Sequence, residues 1–239
     1  MSRNFISLFG SGGDVLPVAA GGAAPTFDSA GSADGGGNPG PSVLTTASVT
    51  VVGAENADFL IVCVEWDNVT TARTVTGITY AGAALTQVAS ALSTGAGGSE
   101  QFGCDIWYKA APASGANTLE TTMSGTCNSL IHGWQSWKGV HQTVPVGTAT
   151  IGTGTASPGT IDVSSATTEV VVGVCGGGFT VAAISSGDTE RWEDSNNVQV
   201  DNAANGSSQT GAATVTMDWT ITSFINARWV ASGVSLKPA

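Results

Sequence analysis

Charge is scarce in this chain. Asp, Glu, Lys and Arg make up 10% of the 239 residues, against the usual quarter or so of a globular domain. The polar surface must therefore be built from Ser, Thr, Asn, Gln and Gly. Helical surfaces favour Glu, Lys, Arg and Ala, whereas Thr and Val suit a half-buried pleated surface, so the shortage already points to β structure. Basic residues are the scarcest. Lys and Arg number 7 against 18 Asp and Glu, a net charge of −11. Arg3, Arg73, Lys109, Lys138, Arg191, Arg228 and Lys237 are scattered and form no stripe. Nucleic-acid binding rests on cations that neutralise phosphates, so no nucleic-acid partner is expected. An acidic balance fits a solvated exterior.

Long apolar runs are missing as well. None approaches the ~20 residues that span a bilayer, and the start, Met1-Ser2-Arg3-Asn4-Phe5, has no basic segment leading into an apolar stretch and cleavage site. No membrane partner and no secretory signal are expected. Cysteine is limited to Cys63, Cys104, Cys127 and Cys175, without CxxC spacing and inside apolar, strand-like runs. Buried free thiols are the expectation, since Cys behaves as a small buried hydrophobe. A Cys104–Cys127 bridge is the alternative, and four cysteines allow three pairings.

What is present is β signal. From Pro25 onward apolar alternation and turn residues are dense. The stretch 59–66 (FLIVCVEW) is a continuous apolar run of strand length, as for a central strand covered on both faces. Residues 76–80 alternate with Ile78 and Tyr80 on one face, and Ala81-Gly82 makes a turn. Residues 104–108 read as a strand, 118–123 alternate again, and 130–140 read as a strand pair or one long bent strand. A turn or two of helix could fit only near residues 89–93. The predicted fold class is all-β: an antiparallel, jelly-roll-like sandwich over residues 25–239, preceded by an N-terminal arm over residues 1–24. In that arm Phe5, Ile6, Leu8 and Phe9 form an apolar cluster with little of its own chain to hold it. They are the candidate partner-binding anchors, ordering on a neighbouring subunit.

The chain also repeats itself. FLIVCVEW at 59–66 is echoed by EVVVGVCG at 169–176, NTLETTMSG at 117–125 by ATVTMDWTI at 213–221, and LIHGWQSWKGV at 130–140 by INARWVASGVSL at 225–236. The order is the same in each half. So long a period argues for two related Greek-key halves packed as one sandwich.

Catalytic motifs are absent. Glu65 and Asp67 alternate about Trp66 and share a sheet face. They resemble the start of the E-x-D-x-x-E signature of laminarinase-like glycosidases, but Thr70 stands where the third acid is required. A retaining mechanism needs two carboxyl groups flanking the bond, so both are read as strand-end acids entering a turn. His132 and His141 have no zinc-ligand spacing. Asp28, Asp34 and Asn38 share a Gly-rich segment whose oxygens would suit calcium, although EF-hand spacing is absent and solvated loop acids are the simpler account. There is no G-x-S-x-G elbow, and the glycine runs at 35–37 and 176–178 read as β turns, with no P-loop context. No catalytic residue, cofactor or metal ligand is assigned. Of the seven tryptophans, most sit in apolar runs and read as core. Trp192 is flanked by Glu190, Arg191, Glu193 and Asp194 and is the candidate exposed contact.

The runs at 59–66, 78–88 (ITYAGAALTQV), 105–125 (DIWYKAAPASGANTLETTMSG), 136–148 (SWKGVHQTVPVGT) and 229–239 (WVASGVSLKPA) together resemble a β-sandwich module of phage structural and decoration proteins and of bacterial surface proteins. That resemblance implies a structural or adhesive role without catalysis, and it supplies no active-site residues. The absence of a signal segment, and a chain consisting of the module plus a short arm, favour the virion over a secreted surface protein. The expectation is a capsid decoration, cement or head-fibre protein. Its partners would be the major capsid protein and neighbouring copies of itself, as a homo-oligomer (a trimer by preference for closed symmetry), assembled in the host cytoplasm. The alternative is a carbohydrate-binding or host-recognition module that uses Trp192 on glycans.

Overall fold

A computed structural model describes residues 22–36, 40–51, 57–68, 71–94, 100–179, 184–186, 188–196, 202–221 and 224–239. Every regular element among them is a β-strand. The first half contributes β1 (Thr26–Asp34), β2 (Val43–Val51), β3 (Ala57–Asn68), β4 (Val75–Tyr80), β5 (Ala83–Ala84), β6 (Thr86–Thr94), β7 (Gln101–Ala110), β8 (Gly115–Met123) and β9 (Ser129–Lys138). The second contributes β10 (Thr150–Gly154), β11 (Gly159–Ser164), β12 (Val170–Phe179), β13 (Ile184–Ser186), β14 (Thr189–Asn196), β15 (Asn202–Thr210), β16 (Thr214–Ile221) and β17 (Phe224–Leu236). Residues 89–93 lie in β6, so the expected helical turn is a strand. Residues 129–138 are one strand.

The two halves have the same topology. The first builds an inner sheet of order β1-β9-β3-β7-β6 and an outer sheet β2-β8-β4-β5; the second builds β10-β17-β12-β15-β14 and β11-β16-β13. All pairings are antiparallel. Consecutive strands mostly cross between inner and outer sheets, the wrapping of a jelly roll. The Ala81-Gly82 turn joins β4 to β5 with φ of 50° and 76°, the type I′ geometry that matches hairpin twist.

The antiparallel sheets pack face to face, as expected of a β-sandwich built from two related halves. Each half is a complete two-sheet sandwich, and the two stack through their inner sheets into four layers. The cause is visible in β3. Leu60, Val62, Val64 and Trp66 pack on the outer sheet with Val49, Ile78 and Leu119, while Phe59, Ile61 and Cys63 pack across on Val172, Val174 and Val234 of the second half. A strand with two apolar faces demands a layer on each side. On the far side, Val171, Cys175 and Ala231 meet Val215, Met217 and Trp219.

The stacking is two-fold in character. β1 lies against β14 and β6 against β10; β9 lies against β14 and β6 against β17; β3 and β12 meet at the centre. Exchanging the halves turns each of these contacts into another of them. That is the pattern of an isologous dimer interface carried within one chain.

The repeat in the sequence therefore maps onto equivalent strands. Trp134 of β9 lies over Gly31 of its neighbour β1, as Trp229 of β17 lies over Gly154 of β10. The β3/β12 echo is out of phase, however. It sets Leu60 beside Val170, but Leu60 faces its outer sheet and Val170 the central interface. An odd displacement in a strand puts every side chain on the opposite face.

Candidate functional site

The acids that invited a glycosidase comparison share a face near the end of β3, and both are buried. β3 runs through Asn68, and Glu65 is wholly buried at the central interface. Asn202 of β15 donates to its Oε2 at 2.7 Å. A Cβ on Gly176 of β12 would lie 2.2 Å from the Glu65 Cγ. The glycine run at 176–178 is thus strand, not turn: at Gly176 its missing side chain is the space that Glu65 occupies. Burial, then the nearby Asp67, hold the Glu65 carboxyl well above its usual range. Burial raises Asp67 to about 7. On the opposite face of the sheet, Asp105 is raised to about 6 by burial. All three carboxyls are buried and closed to substrate.

His132 is equally enclosed. Its Nε2 pairs with Thr46 Oγ1 at 2.7 Å and its Nδ1 with Thr121 Oγ1 at 3.0 Å, so the ring bridges β2 and β8 within the first sandwich. Burial lowers it to about 3, which leaves it neutral and structural. His141 caps a local turn, its Nδ1 accepting from the backbone N–H of Thr143 and Val144. Asp28 pairs with Lys138 at 3.3 Å and accepts from Ser136, and Asp34 accepts from the Gly36 N–H. Asn38 lies outside the described residues.

All four cysteines are buried free thiols. The alternative Cys104–Cys127 bridge is ruled out by the fold, because Cys104 packs in the central interface and Cys127 in the first sandwich, on opposite faces of one sheet. Burial pushes Cys63 and Cys127 up to about 12 and raises Cys104 and Cys175 as well. Thiolate is the reactive form. Labelling with a maleimide under native conditions should therefore modify none of the four rapidly, and unfolding in urea should expose all of them. A native protein that takes up one or more labels at once would show that a thiol is open to solvent.

Trp192, read as an exposed contact, is a core residue with 5% exposure. Its ring fills the space above Gly206 of the adjacent strand β15 and above Gly133 of β9 across the interface; a Cβ on either glycine would fall within 2.1 Å of the ring. The charged flanks misled because they belong to an edge strand, where alternate side chains face away from the core. Phe5, Ile6, Leu8 and Phe9 lie outside the described residues.

An open cavity lies where β14 crosses β1. A cavity of about 200 Å³ is lined by Phe27, Trp137, Arg191 and Ser208, with Thr189 and Thr210 exposed beside them. Arg191 reaches it through a β-bulge: Glu190 pairs with Ser207 and Trp192 with Gly206, which leaves Arg191 as the extra residue. Bulges re-aim side chains in this way. The guanidinium lies 4.0 Å from the Phe27 ring centroid and 5.4 Å from that of Trp137. Its Nε–H donates to Ser208 Oγ at 2.8 Å. Phe27 and Trp137 meet edge to face. Sequence reading missed this group, because Phe27, Trp137, Arg191 and Ser208 come from four separate strands and share no local motif.

No protein-family model matches the chain, and no curated protein matches it.

Proposed function

We propose that this is a non-enzymatic structural protein of a bacteriophage particle, a capsid decoration, cement or head-fibre component. The observation that carries this reading is the tandem of jelly rolls in which Glu65, Asp67, Asp105, His132 and all four cysteines are sealed between sheets. Jelly rolls serve as capsid and lectin modules, and packing these groups inside suits a chain that presents surfaces. In this reading the arm anchors Phe5, Ile6, Leu8 and Phe9 engage the major capsid protein or neighbouring copies, and repetition supplies avidity.

Quantitative mass spectrometry of purified particles from a lysate expressing the protein tests it. Copy numbers in the hundreds would support decoration of the lattice, and complete absence would overturn the virion reading. Deleting residues 1–24 tests the arm: particles still occupied at full density would rule it out as the anchor. Glycan recognition through Trp192 has no support, since the ring is buried. A glycan reading would have to rest on the Arg191 cavity.

A further inference from the structure

The cavity beside Arg191 has a counterpart in the first half, and the two differ. In β6, Thr86 pairs with Tyr108 and Val88 is the extra residue of the bulge; in β14, Thr189 pairs with Ser208 and Arg191 is the extra residue. Val88 and Tyr108 pack onto the central apolar cluster. The second half has Arg and Ser at the same two places. A large aromatic and a branched aliphatic that close the interface on one side are replaced by a small hydroxyl and a cation that leave it open on the other.

Arg191 is half-buried beside this cavity. Its Nε–H is used by Ser208, but among the described residues it makes no ion pair, and no carboxylate lines the cavity. Glu190, its neighbour in sequence, is held by Asn205 Nδ2 at 2.8 Å. The guanidinium lies over the Phe27 ring, and two Nη groups of an Arg can donate to two oxygens, the geometry by which Arg takes a carboxylate. Thr189, Ser208 and Thr210 also line the cavity. The volume is below the ~300 Å³ at which pockets for drug-sized ligands begin, so the occupant is small.

We propose that this pocket binds a small hydroxylated carboxylate of the uronic-acid type, with its carboxylate on Arg191, its hydroxyls on the threonine and serine side chains, and one face toward Phe27 and Trp137. The assignment concerns the pocket alone and does not depend on whether the protein belongs to a particle. A virion protein bearing it would hold acidic polysaccharide.

The test is titration of the intact protein with D-glucuronate, D-glucose and inorganic phosphate at low salt, followed by calorimetry and by tryptophan fluorescence, to which Trp137 contributes from the pocket lining. Glucuronate should bind saturably, with glucose and phosphate each weaker by about tenfold or more, the scale of one charge-assisted contact. Arg191→Gln should weaken glucuronate by a similar factor. Because that variant also loses a stacking contact, Thr210→Trp provides a second route: it fills the cavity from an exposed position, keeps Arg191, and should abolish binding without lowering the melting temperature. Glucose or phosphate binding as tightly as glucuronate, no glucuronate binding at all, or full affinity in either variant would overturn the assignment.

Discussion

Trp192→Ala is expected to lower folding stability by about 3–5 kcal/mol, the range for deleting a fully packed large aromatic. It should leave any glycan affinity of the folded protein unchanged. The indole spans both sheets of the central interface, lying on Gly206 in its own sheet and on Gly133 in the other. Deleting it removes contacts from two layers at once, and strands cannot collapse onto a void held open by two backbones. The reciprocal change, Gly133→Ala, leaves the ring no room and is expected to cost at least the ~1–3 kcal/mol of an overpacked core. Urea unfolding midpoints give both values. A loss below about 1 kcal/mol for Trp192→Ala would mean that the ring does not hold the sandwiches together.

The second large effect is a stability that rises as the solution is made mildly acidic. Asp67 is raised to about 7 and Asp105 to about 6, and Glu65 also lies well above its usual range, in each case mainly through burial. In the unfolded chain these groups ionise near pH 4. A raised acid stabilises the fold fully below its unfolded pKa, and that contribution is lost as pH climbs to the folded value. Asp67 alone accounts for about 4 kcal/mol between pH 4 and 7, at about 1.4 kcal/mol per unit. His132, lowered to about 3, works in the opposite sense: its contribution is present above about 6.5 and falls away toward acid. Three carboxyls outweigh one imidazole, so unfolding midpoints should increase from pH 7 to pH 5. Glu65→Gln, which keeps the shape of the protonated acid and the acceptor for Asn202, should flatten the curve and raise the midpoint at pH 8. A midpoint independent of pH from 5 to 8 would show that these carboxyls are ionised in the folded protein.

Much of the architecture was legible in the residues. The run at 59–66 announced a strand covered on both faces, because nothing exposed tolerates eight such positions, and β3 is that strand. The Ala81-Gly82 turn and the alternation at 118–123 were local signals obeyed locally. The repeat was legible too, as equivalent elements in the same order. What failed was phase: three valines and a cysteine look alike whichever face they occupy, and only the partner sheet distinguishes them.

The elements that went unread share a different cause. β15 (NAANGSSQT) has no large apolar residue, yet Asn202 through Ser208 are all buried. Its small side chains are explained by bulk from elsewhere, Trp192 over Gly206 and Glu65 reaching Asn202. Gly176 is strand for the same reason. Small polar residues and glycines are turn signals in isolation and complementary surfaces in a packed sheet, and a one-dimensional pattern carries no information about which.

Composition and alternation alone determined that the described residues are built of β-strands, that the chain is built twice, and that it carries no local catalytic motif, because those properties reside in backbone preference and periodicity along the chain. Tertiary structure decided that the two halves form separate sandwiches back to back, that Glu65 and Trp192 are interior, and that Arg191 opens a pocket. Each of these depends on which side chains from distant strands meet across a sheet interface, where steric fit and the cost of burying charge act between residues that the sequence sets far apart.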